Sequence, residues 1–359
     1  MTAGTTGLPP QLSRLLAEFD DRRPAALART VSLVENRRDG FELILSTLYS
    51  RVGRARRIGI TGPPGAGKST ITTRLAALAR EGGQSVGIVA VDPTSPFTGG
   101  ALLGDRIRME SVALDPGIFI RSMATRGSLG GLAAATREVA DVLDAFGFDR
   151  VIVETVGVGQ SELDIARVAD TSVVVLVPES GDAIQTMKAG LMEIADNFVI
   201  NKADRPGADR LKHEVELMLG YRLGQGYRDI PAHHGVDLRR PKGAATDGVH
   251  SEREPDRWTP PVLTTVAERG EGIDALASAL GRHADYLVRT GELQRRRRAR
   301  VRDRVVDVVE RLVQRRLWSD AGTQAWLDEQ IPALEAGHLT PYAAATALLE
   351  RSAAQLAKG

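Results

Sequence analysis

A glycine-rich stretch at residues 59–70, GITGPPGAGKST, carries residue types that bind phosphate. Gly62 is followed after four residues by Gly67, Lys68 and Ser69, which is the pattern of a P-loop. The glycines let consecutive backbone N–H groups face one anion, Lys68 can reach the outer phosphates, and the Ser69 hydroxyl is a hard ligand for Mg²⁺. The sequence therefore predicts a nucleotide phosphate site formed by Gly62, Gly65, Ala66, Gly67, Lys68, Ser69 and Thr70.

The tetrapeptide Asn201-Lys202-Ala203-Asp204 follows an apolar run and has the pattern that reads guanine. The Asp204 carboxylate can accept hydrogen bonds from the ring N–H and the exocyclic amine of guanine together, and adenine offers neither in that arrangement. We expect Lys202 to cover the base and Asn201 to tie the base loop to the P-loop. Further along, the N–H of Ala267 is a candidate donor to the guanine oxygen.

Three acidic residues are candidates for holding Mg²⁺ or its waters. Asp92 ends an apolar run, Asp105 lies in the Gly- and Pro-rich segment after it, and Glu154 ends another apolar run. Mg²⁺ is usually bound through one or two carboxylates together with phosphate oxygens. Because Glu154 replaces the commoner Asp, its contact with the ion is expected to pass through water. Asp105 has an alternative role as the cap of a helix that begins there.

The segments around these acids have the pattern of switch loops that order with a triphosphate and relax after hydrolysis. Gly157 is placed to sense the γ-phosphate through its N–H. The next residue is Val158, where small regulatory GTPases carry a water-orienting Gln, so slow intrinsic hydrolysis is expected. Gln160 is a nearby candidate for that role.

Short apolar runs alternate with helical patterns from residue 56 to about 280. This alternation predicts an α/β fold in which a mainly parallel sheet is covered by helices on both faces. Ligands in such sheets lie beyond the carboxyl ends of the strands. The runs are Ile58–Ile60, Val86–Val91, Ile118–Ile120, Val151–Val153, Val173–Val177, Phe198–Ile200 and Val262–Thr264.

Helical patterns flank this core and suggest three regions. Residues 1–50 form an N-terminal helical segment, residues 51–281 the nucleotide-binding domain, and residues 282–359 a C-terminal helical region. In the last region Val301, Val305, Val308, Leu312 and Leu317 recur at helical spacing, which predicts an amphipathic dimerisation arm. Residues 224–258 have the composition of a flexible surface insertion.

Composition limits the classes of function. The chain has 359 residues, a formal net charge of +1, 42% hydrophobic residues and no cysteine. Disulfides and thiolate chemistry are excluded, and neither a signal peptide nor an apolar run of membrane-spanning length is visible. The expected location is the cytoplasm, without membrane binding. Acidic residues offset the arginine run at 295–298, so nucleic-acid binding is not expected.

Five motifs in this order resemble the MeaB/ArgK-type GTPases, which are chaperones of adenosylcobalamin-dependent acyl-CoA mutases. The motifs are GPPGAGKST, DPTSPFTGGALLGDRIRM, RSMATRGSLGG, ETVGVGQSE and NKAD. The resemblance implies a homodimer that binds GTP, GDP and Mg²⁺ and associates with a mutase of the methylmalonyl-CoA mutase type. It also implies that the protein gates delivery of adenosylcobalamin, which enters only through the partner, and protects or reactivates the mutase.

The same resemblance assigns roles to individual residues. It implies nucleotide and Mg²⁺ contacts for Lys68, Ser69, Asp92, Asp105 and Glu154, and base contacts for Asn201, Lys202 and Asp204. Residues 178–188 match a third mobile loop through which the partner influences hydrolysis. Within that loop Lys188 is the candidate for stabilising the transition state, as arginine fingers do, and its alternative is an ordinary solvated lysine.

Two other functions stay open at this stage. A GTPase that inserts nickel into a metalloenzyme would need Cys or His ligands, and His233 and His234 in the insertion are the only adjacent pair. The ArgK name is also attached to a kinase that phosphorylates a transport protein, and a P-loop is compatible with that reaction.

The guanine assignment makes a direct prediction for Asp204→Asn. The amide donates where the carboxylate accepted, so affinity for GTP should fall and affinity for xanthosine triphosphate should rise. Nucleotide titration of both proteins measures the exchange of preference. Unchanged GTP binding by the variant would show that the base site is misassigned.

Overall fold

Seven strands, all parallel, form one sheet in this computed structural model. The structure describes residues 8–92, 109–124, 131–155, 164–180, 190–222 and 257–357. Each strand coincides with one of the predicted apolar runs, so the α/β prediction is confirmed. In chain order the strands are β1 Arg56–Thr61, β2 Val86–Asp92, β3 Ile118–Ala124, β4 Arg150–Thr155, β5 Thr171–Leu176, β6 Asn197–Asn201 and β7 Val262–Thr265.

The spatial order of the strands is β3-β2-β4-β1-β5-β6-β7, which places the strand that leads into the P-loop at the centre of the sheet. The helices that the structure describes are α1 Pro10–Asp20, α2 Pro24–Glu35, α3 Phe41–Leu48, α4 Lys68–Glu81, α5 Glu110–Ala113, α6 Gly131–Phe146, α7 Gly190–Ile194, α8 Ala208–Arg222, α9 Ile273–Arg289, α10 Glu292–Trp318, α11 Ala321–Glu335 and α12 Pro341–Ala357. None of them combines the length and apolar character needed to cross a bilayer.

Both faces of the sheet are buried, because alternate residues of each strand enter different cores. Ile58, Ile60 and Ile152 face the helices α4 and α9. On the other side, Val151 and Val153 join a core that includes α6 and the three N-terminal helices. Burial on both faces explains why the strands are continuous apolar runs rather than alternating ones.

The N-terminal helices are therefore built into the nucleotide-binding unit. Phe19 of α1 is fully buried and its ring meets that of Phe146 edge-on, with centroids 4.9 Å apart. An ion pair between Glu35 of α2 and Arg121 of β3 adds a polar link. The apolar faces of α1 to α3 thus cover α6 and the sheet.

Charged clusters hold the amino-terminal ends of the strands. Arg57 of β1 donates from Nη2 to Asp141 Oδ1 at 2.7 Å and to Asp144 Oδ2 at 2.8 Å. All three side chains are buried. Although burial disfavours the charged form, the two carboxylates hold the pKa of Arg57 above its ordinary value.

A second cluster surrounds Asp196, immediately before β6. Arg296 of α10 binds its carboxylate with two hydrogen bonds of 2.9 Å, and His283 Nε2 lies 3.3 Å from Asp196 Oδ1. The Trp258 indole donates to the Asp196 carbonyl at 2.7 Å and packs on His283. Burial raises the pKa of Asp196, but the contacts from His283 and Arg296 outweigh it and keep that pKa below its ordinary value.

The chain divides into two compact units, residues 1–296 and 297–359. The second unit contains most of α10, with α11 and α12. Asp320 caps α11 by accepting the Thr323 N–H at 2.9 Å. The α10 surface carries exposed valines, namely Val301, Val305, Val306, Val309 and Val313.

The Asp144 cluster leads to a stability prediction. Its carboxylate also accepts the N–H groups of Gly53, Arg54 and Ala55 at 2.8 to 3.0 Å. Asp144→Ala leaves these donors and Arg57 without that acceptor, so the free energy of unfolding should fall by about 3–5 kcal/mol. Urea unfolding monitored by circular dichroism measures the change.

The matched control is Asp285→Ala, which removes an exposed carboxylate from α9. That change should alter the free energy of unfolding by less than about 0.5 kcal/mol. Equal effects of the two substitutions would contradict the structural role assigned to Asp144.

Candidate nucleotide-binding site

Within the described residues, the predicted site residues that belong to strands lie at one edge of the sheet, because all seven strands are parallel. Thr61, Glu154, Asn201 and Thr265 lie at or next to the carboxyl ends of β1, β4, β6 and β7. The P-loop leaves β1 at this edge and enters α4 at Lys68. This is the edge at which open α/β sheets bind ligands.

Two P-loop glycines are required by close approach of other backbone and side-chain atoms. Gly62 has φ +137°, and a Cβ there would lie 2.0 Å from the Val175 carbonyl oxygen. Gly67 has φ +86°, and its Cβ would lie 2.3 Å from Asn201 Nδ2. Any larger residue at either position would clash, so the loop keeps the tight curve that turns N–H groups toward a phosphate.

Lys68 begins helix α4 and is almost fully buried. Its Nζ donates to the carbonyl oxygens of Gly62 and Pro63, each at 2.8 Å. The ammonium group is thus held against the backbone of the P-loop. Because it is held at the N-terminus of α4, its charge adds to the helix dipole in attracting an anion.

Ser69 and Glu154 form the second polar contact of the site. Ser69 Oγ donates to Glu154 Oε1 at 2.5 Å, and Thr72 Oγ1 donates to Oε2 at 3.0 Å. The carboxylate is buried, so both of its oxygens are used to orient hydroxyl groups of α4. With its proton directed to Glu154, the Ser69 oxygen presents a lone pair away from the carboxylate.

Asn201 joins the P-loop to the base loop. Its Nδ2 donates to the Ala66 carbonyl at 2.8 Å. Its Oδ1 accepts from Thr265 Oγ1 at 3.0 Å and from the Ala267 N–H at 3.1 Å. The side chain is buried, and its one carboxamide links two segments that are distant in sequence, the P-loop and residues 265–267.

The other members of the guanine motif lie in the turn after β6. Lys202 has φ +57°, and this left-handed residue lets the Ala203 N–H donate to the Thr265 carbonyl at 3.0 Å. Asp204 is exposed, with Arg269 Nη2 at 3.8 Å from its Oδ2. The carboxylate is therefore accessible to a base, with a cation beside it.

Ala267 is placed differently from its predicted role. The N–H expected to face the guanine oxygen donates instead to Asn201 Oδ1. A contact with guanine would therefore share this N–H or use the next one in the loop, that of Glu268. The sequence did not reveal this, because the partner of the Ala267 N–H lies on another strand.

An exposed ion pair links the base motif to the segment after β5. Arg205 pairs with Glu179, in the short turn Pro178–Ser180, and holds the pKa of that carboxyl below its ordinary value. This turn begins the predicted third loop, residues 178–188. The first residues of that loop are thus in contact with the base-binding turn.

Several predicted residues lie outside the described part of the chain. These are Asp105, Gly157, Gln160, Lys188, His233 and His234, together with the insertion up to residue 256. Asp92 ends β2 at the expected edge of the sheet, and its side chain is not described. Their predicted roles stay predictions.

Two site residues were missed at the sequence level. Thr72 orients Glu154, and its position one helical turn after Ser69 is the signal that could have identified it. Arg74 donates from Nε to the Ala267 carbonyl at 3.1 Å and from Nη2 to the Glu268 carbonyl. No local pattern marks Arg74, because its acceptors lie almost two hundred residues further along the chain.

Comparison with known proteins places this site in a family. A protein of Pyrococcus horikoshii, provisionally named a GTPase, is 44% identical over 331 residues, covering 92% of this chain and 94% of its own. The mouse methylmalonic aciduria type A homolog, a mitochondrial protein, is 31% identical over 358 residues, covering 94% and 79%. The solved structure of an LAO/AO transport system kinase matches with a TM-score of 0.64 at 27% identity, covering 96% and 98%.

The family profile described as methylmalonyl-CoA mutase-associated GTPase MeaB matches residues 27–322. This match spans most of the chain, including most of α2, all of α3, the whole sheet and the first part of the C-terminal unit. It agrees with the P-loop and with the order of the motifs that follow it. The chain is a P-loop GTPase and belongs to the MeaB family.

Proposed function

We propose that this GTPase is a chaperone of an adenosylcobalamin-dependent acyl-CoA mutase of the methylmalonyl-CoA mutase type. Two comparisons support the partner: the family description names a mutase-associated GTPase, and the mouse relative is named after methylmalonic aciduria. In this role GTP binding and hydrolysis gate the loading of the cofactor and the protection or reactivation of the mutase. Adenosylcobalamin reaches the protein only through that partner.

The contacts of Asn201 are the observation that carries the nucleotide part of the proposal. One buried side chain holds the P-loop carbonyl of Ala66 and the loop after β7 in a single frame. A nucleotide whose phosphates meet residues 62–70 then has its base directed toward Asp204. The carboxylate selects guanine by accepting from its ring N–H and amine, and a base without those donors would leave it unpaired.

The residues present fit Mg²⁺ held together with a nucleotide. Ser69 provides a hydroxyl oxygen as a ligand. Its hydroxyl proton is donated to the Glu154 carboxylate, which favours an indirect role of that carboxylate in holding the ion. Within the described ranges no cluster of three or more His, Asp or Glu side chains is arranged as a metal site, so the ligand set fits an ion that shares phosphate oxygens. When bound, Mg²⁺ would neutralise charge on the phosphates; Asp92 and Asp105 are further candidates for its shell.

The chain's own groups have distinct tasks in hydrolysis. Lys68 supplies a fixed positive charge beside the outer phosphates, and the N–H groups of the P-loop hold them in place. Gly157 is proposed to sense the γ-phosphate through its N–H. Lys188 is proposed to add charge to the transition state when the partner moves the third loop, which makes the stimulated rate depend on the complex.

A homodimer is the proposed assembly, and the exposed valines of α10 support it. Val305 is 59% exposed, and its neighbours on the same helix are similarly open to solvent. A row of apolar side chains along a helix is stabilised when another apolar surface covers it. A second copy of the chain can supply the same row by two-fold symmetry.

Glu154→Gln tests the role of the buried carboxylate. The amide keeps the size but loses the charge and one of two acceptors for the Ser69 and Thr72 hydroxyls. We expect the GTP turnover to fall by about 10–100-fold and the Mg²⁺ concentration for half-maximal activity to rise. Phosphate release at a series of Mg²⁺ concentrations measures both.

Glu216→Gln, an exposed change on α8, is the matched control and should hydrolyse GTP at the unchanged rate. Thermal unfolding of both variants shows whether they are folded. An unaltered Mg²⁺ dependence in Glu154→Gln would remove Glu154 from the proposed metal site.

The partner is tested with a purified adenosylcobalamin-dependent methylmalonyl-CoA mutase. Mixing it with this protein and GTP should form a complex and raise hydrolysis by about tenfold or more, because the partner orders the loops that hold the transition state. Size-exclusion chromatography and phosphate release are the measurements. ATP replaces GTP as a control and should not be hydrolysed faster. Absence of both complex and stimulation with every such mutase tried would refute the proposal.

A further inference from the structure

We propose that Arg74 is a positioning residue for guanine recognition, acting through the loop formed by residues 266–272. Its guanidinium donates to the carbonyl oxygens of Ala267 and Glu268, two consecutive residues of that loop. The inference rests on the proposed guanine site. It assigns to a residue of the P-loop helix a part in selecting the base rather than the phosphates.

Side chains on two sides attach the loop to the elements that form the nucleotide site. Its internal bonds close it on itself: the Val266 N–H donates to the Glu271 carbonyl, and the Arg269 and Gly270 N–H groups donate back to Val266 and Ala267. These bonds set the shape of the loop but do not attach it to the phosphate site. Asn201 holds it from the strand side, and Arg74 holds it from the helix side.

The attachment forms a closed ring through the nucleotide site. Asn201 binds Ala66 of the P-loop, the P-loop continues into α4, Arg74 of α4 binds Ala267, and the Ala267 N–H returns to Asn201. From Lys68 to Arg74 the helix rises about 9 Å, so the distance between the phosphate end and the base end is set by a rigid element. Loss of the contact made by Asn201 or by Arg74 would let the loop at residues 266–272 move relative to the phosphates.

Arg74 also changes the donors that the loop offers. A cation on the Ala267 carbonyl polarises the peptide unit that ends in the Glu268 N–H, which makes that N–H a stronger donor. The Ala267 N–H is already directed at Asn201, so the neighbouring N–H is the one available to gain from this effect. The acceptor that the Glu268 N–H fits is the O6 oxygen of guanine, on the edge of the base next to the groups read by Asp204.

The test separates the O6 contact from the rest of the base. In 6-thio-GTP a sulfur, which is a weak acceptor, replaces O6, whereas the ring N–H and amine that face Asp204 are kept. Inosine triphosphate keeps O6 and lacks the amine. Dissociation constants for GTP and these two analogues are measured by fluorescence titration with the full chain and with Arg74→Met.

We expect Arg74→Met to raise the dissociation constants of GTP and inosine triphosphate by about tenfold each, and that of 6-thio-GTP by no more than about twofold. The preference of the protein for GTP over 6-thio-GTP should therefore shrink, whereas its preference for GTP over inosine triphosphate stays the same. Arg74→Lys, which keeps the charge but loses the planar fork, should show a smaller shift in the same direction. Arg210→Met, which removes an exposed arginine of α8, is the matched control and should leave all three constants unchanged.

Each outcome bears on the proposal. Equal weakening of all three nucleotides by Arg74→Met would indicate a general structural role and overturn the inference, and so would unchanged constants. If Arg74→Met does not fold, Arg74→Lys carries the same comparison. Failure of the unaltered protein to bind any of the three nucleotides would refute the guanine site itself. Tight GTP binding that is the same in the unaltered protein and in Arg74→Met would refute only the role of Arg74.

Discussion

The carboxamide of Asn201 is the contact on which the nucleotide site depends. Its buried position means that each of its polar atoms must find a partner within the protein, since an unpaired donor or acceptor there would cost about 1–3 kcal/mol. The partners are Ala66 in the P-loop and, at the end of β7 and just after it, Thr265 and Ala267. The hydrogen bonds of one amide therefore hold the P-loop, the guanine motif and the loop after β7 together. The close approach of Gly67 to the same side chain explains why that residue has no Cβ.

The sheet and the nucleotide motifs could be predicted from the sequence because both are locally encoded. A strand buried on both faces has to be apolar throughout, and the polar residues at its carboxyl end mark where the ligand edge begins. The spacing of Gly62, Lys68 and Ser69 specifies a phosphate site without knowledge of any other segment. Family resemblance then supplied the expected partner, which no residue pattern encodes.

Contacts between distant segments could not be predicted in this way. Whether the Ala267 N–H faces a base or Asn201 is decided by the way β6 and β7 lie side by side, with Asn201 next to Thr265 in register. Arg74 looks like an ordinary surface arginine until the loop after β7 is placed beside α4. The Asp196 cluster was missed for the same reason, because Arg296 reads as one member of an arginine run and is instead bound to a buried carboxylate.

The two ends of the sheet use charge in opposite ways. At the amino-terminal end, Arg57 and Arg296 are paired with carboxylates inside the protein, and removing one partner would leave a buried charge exposed to an apolar surrounding. At the carboxyl-terminal end, Lys68 lies at the N-terminus of α4 and donates to two P-loop carbonyls, which places a positive charge where the helix dipole attracts an anion. The buried ion pairs keep the strands in place, and the arrangement around Lys68 is suited to binding a phosphate. A switch that acts by hydrolysis needs both, because loops can move with the phosphate only if the strands that carry them stay fixed.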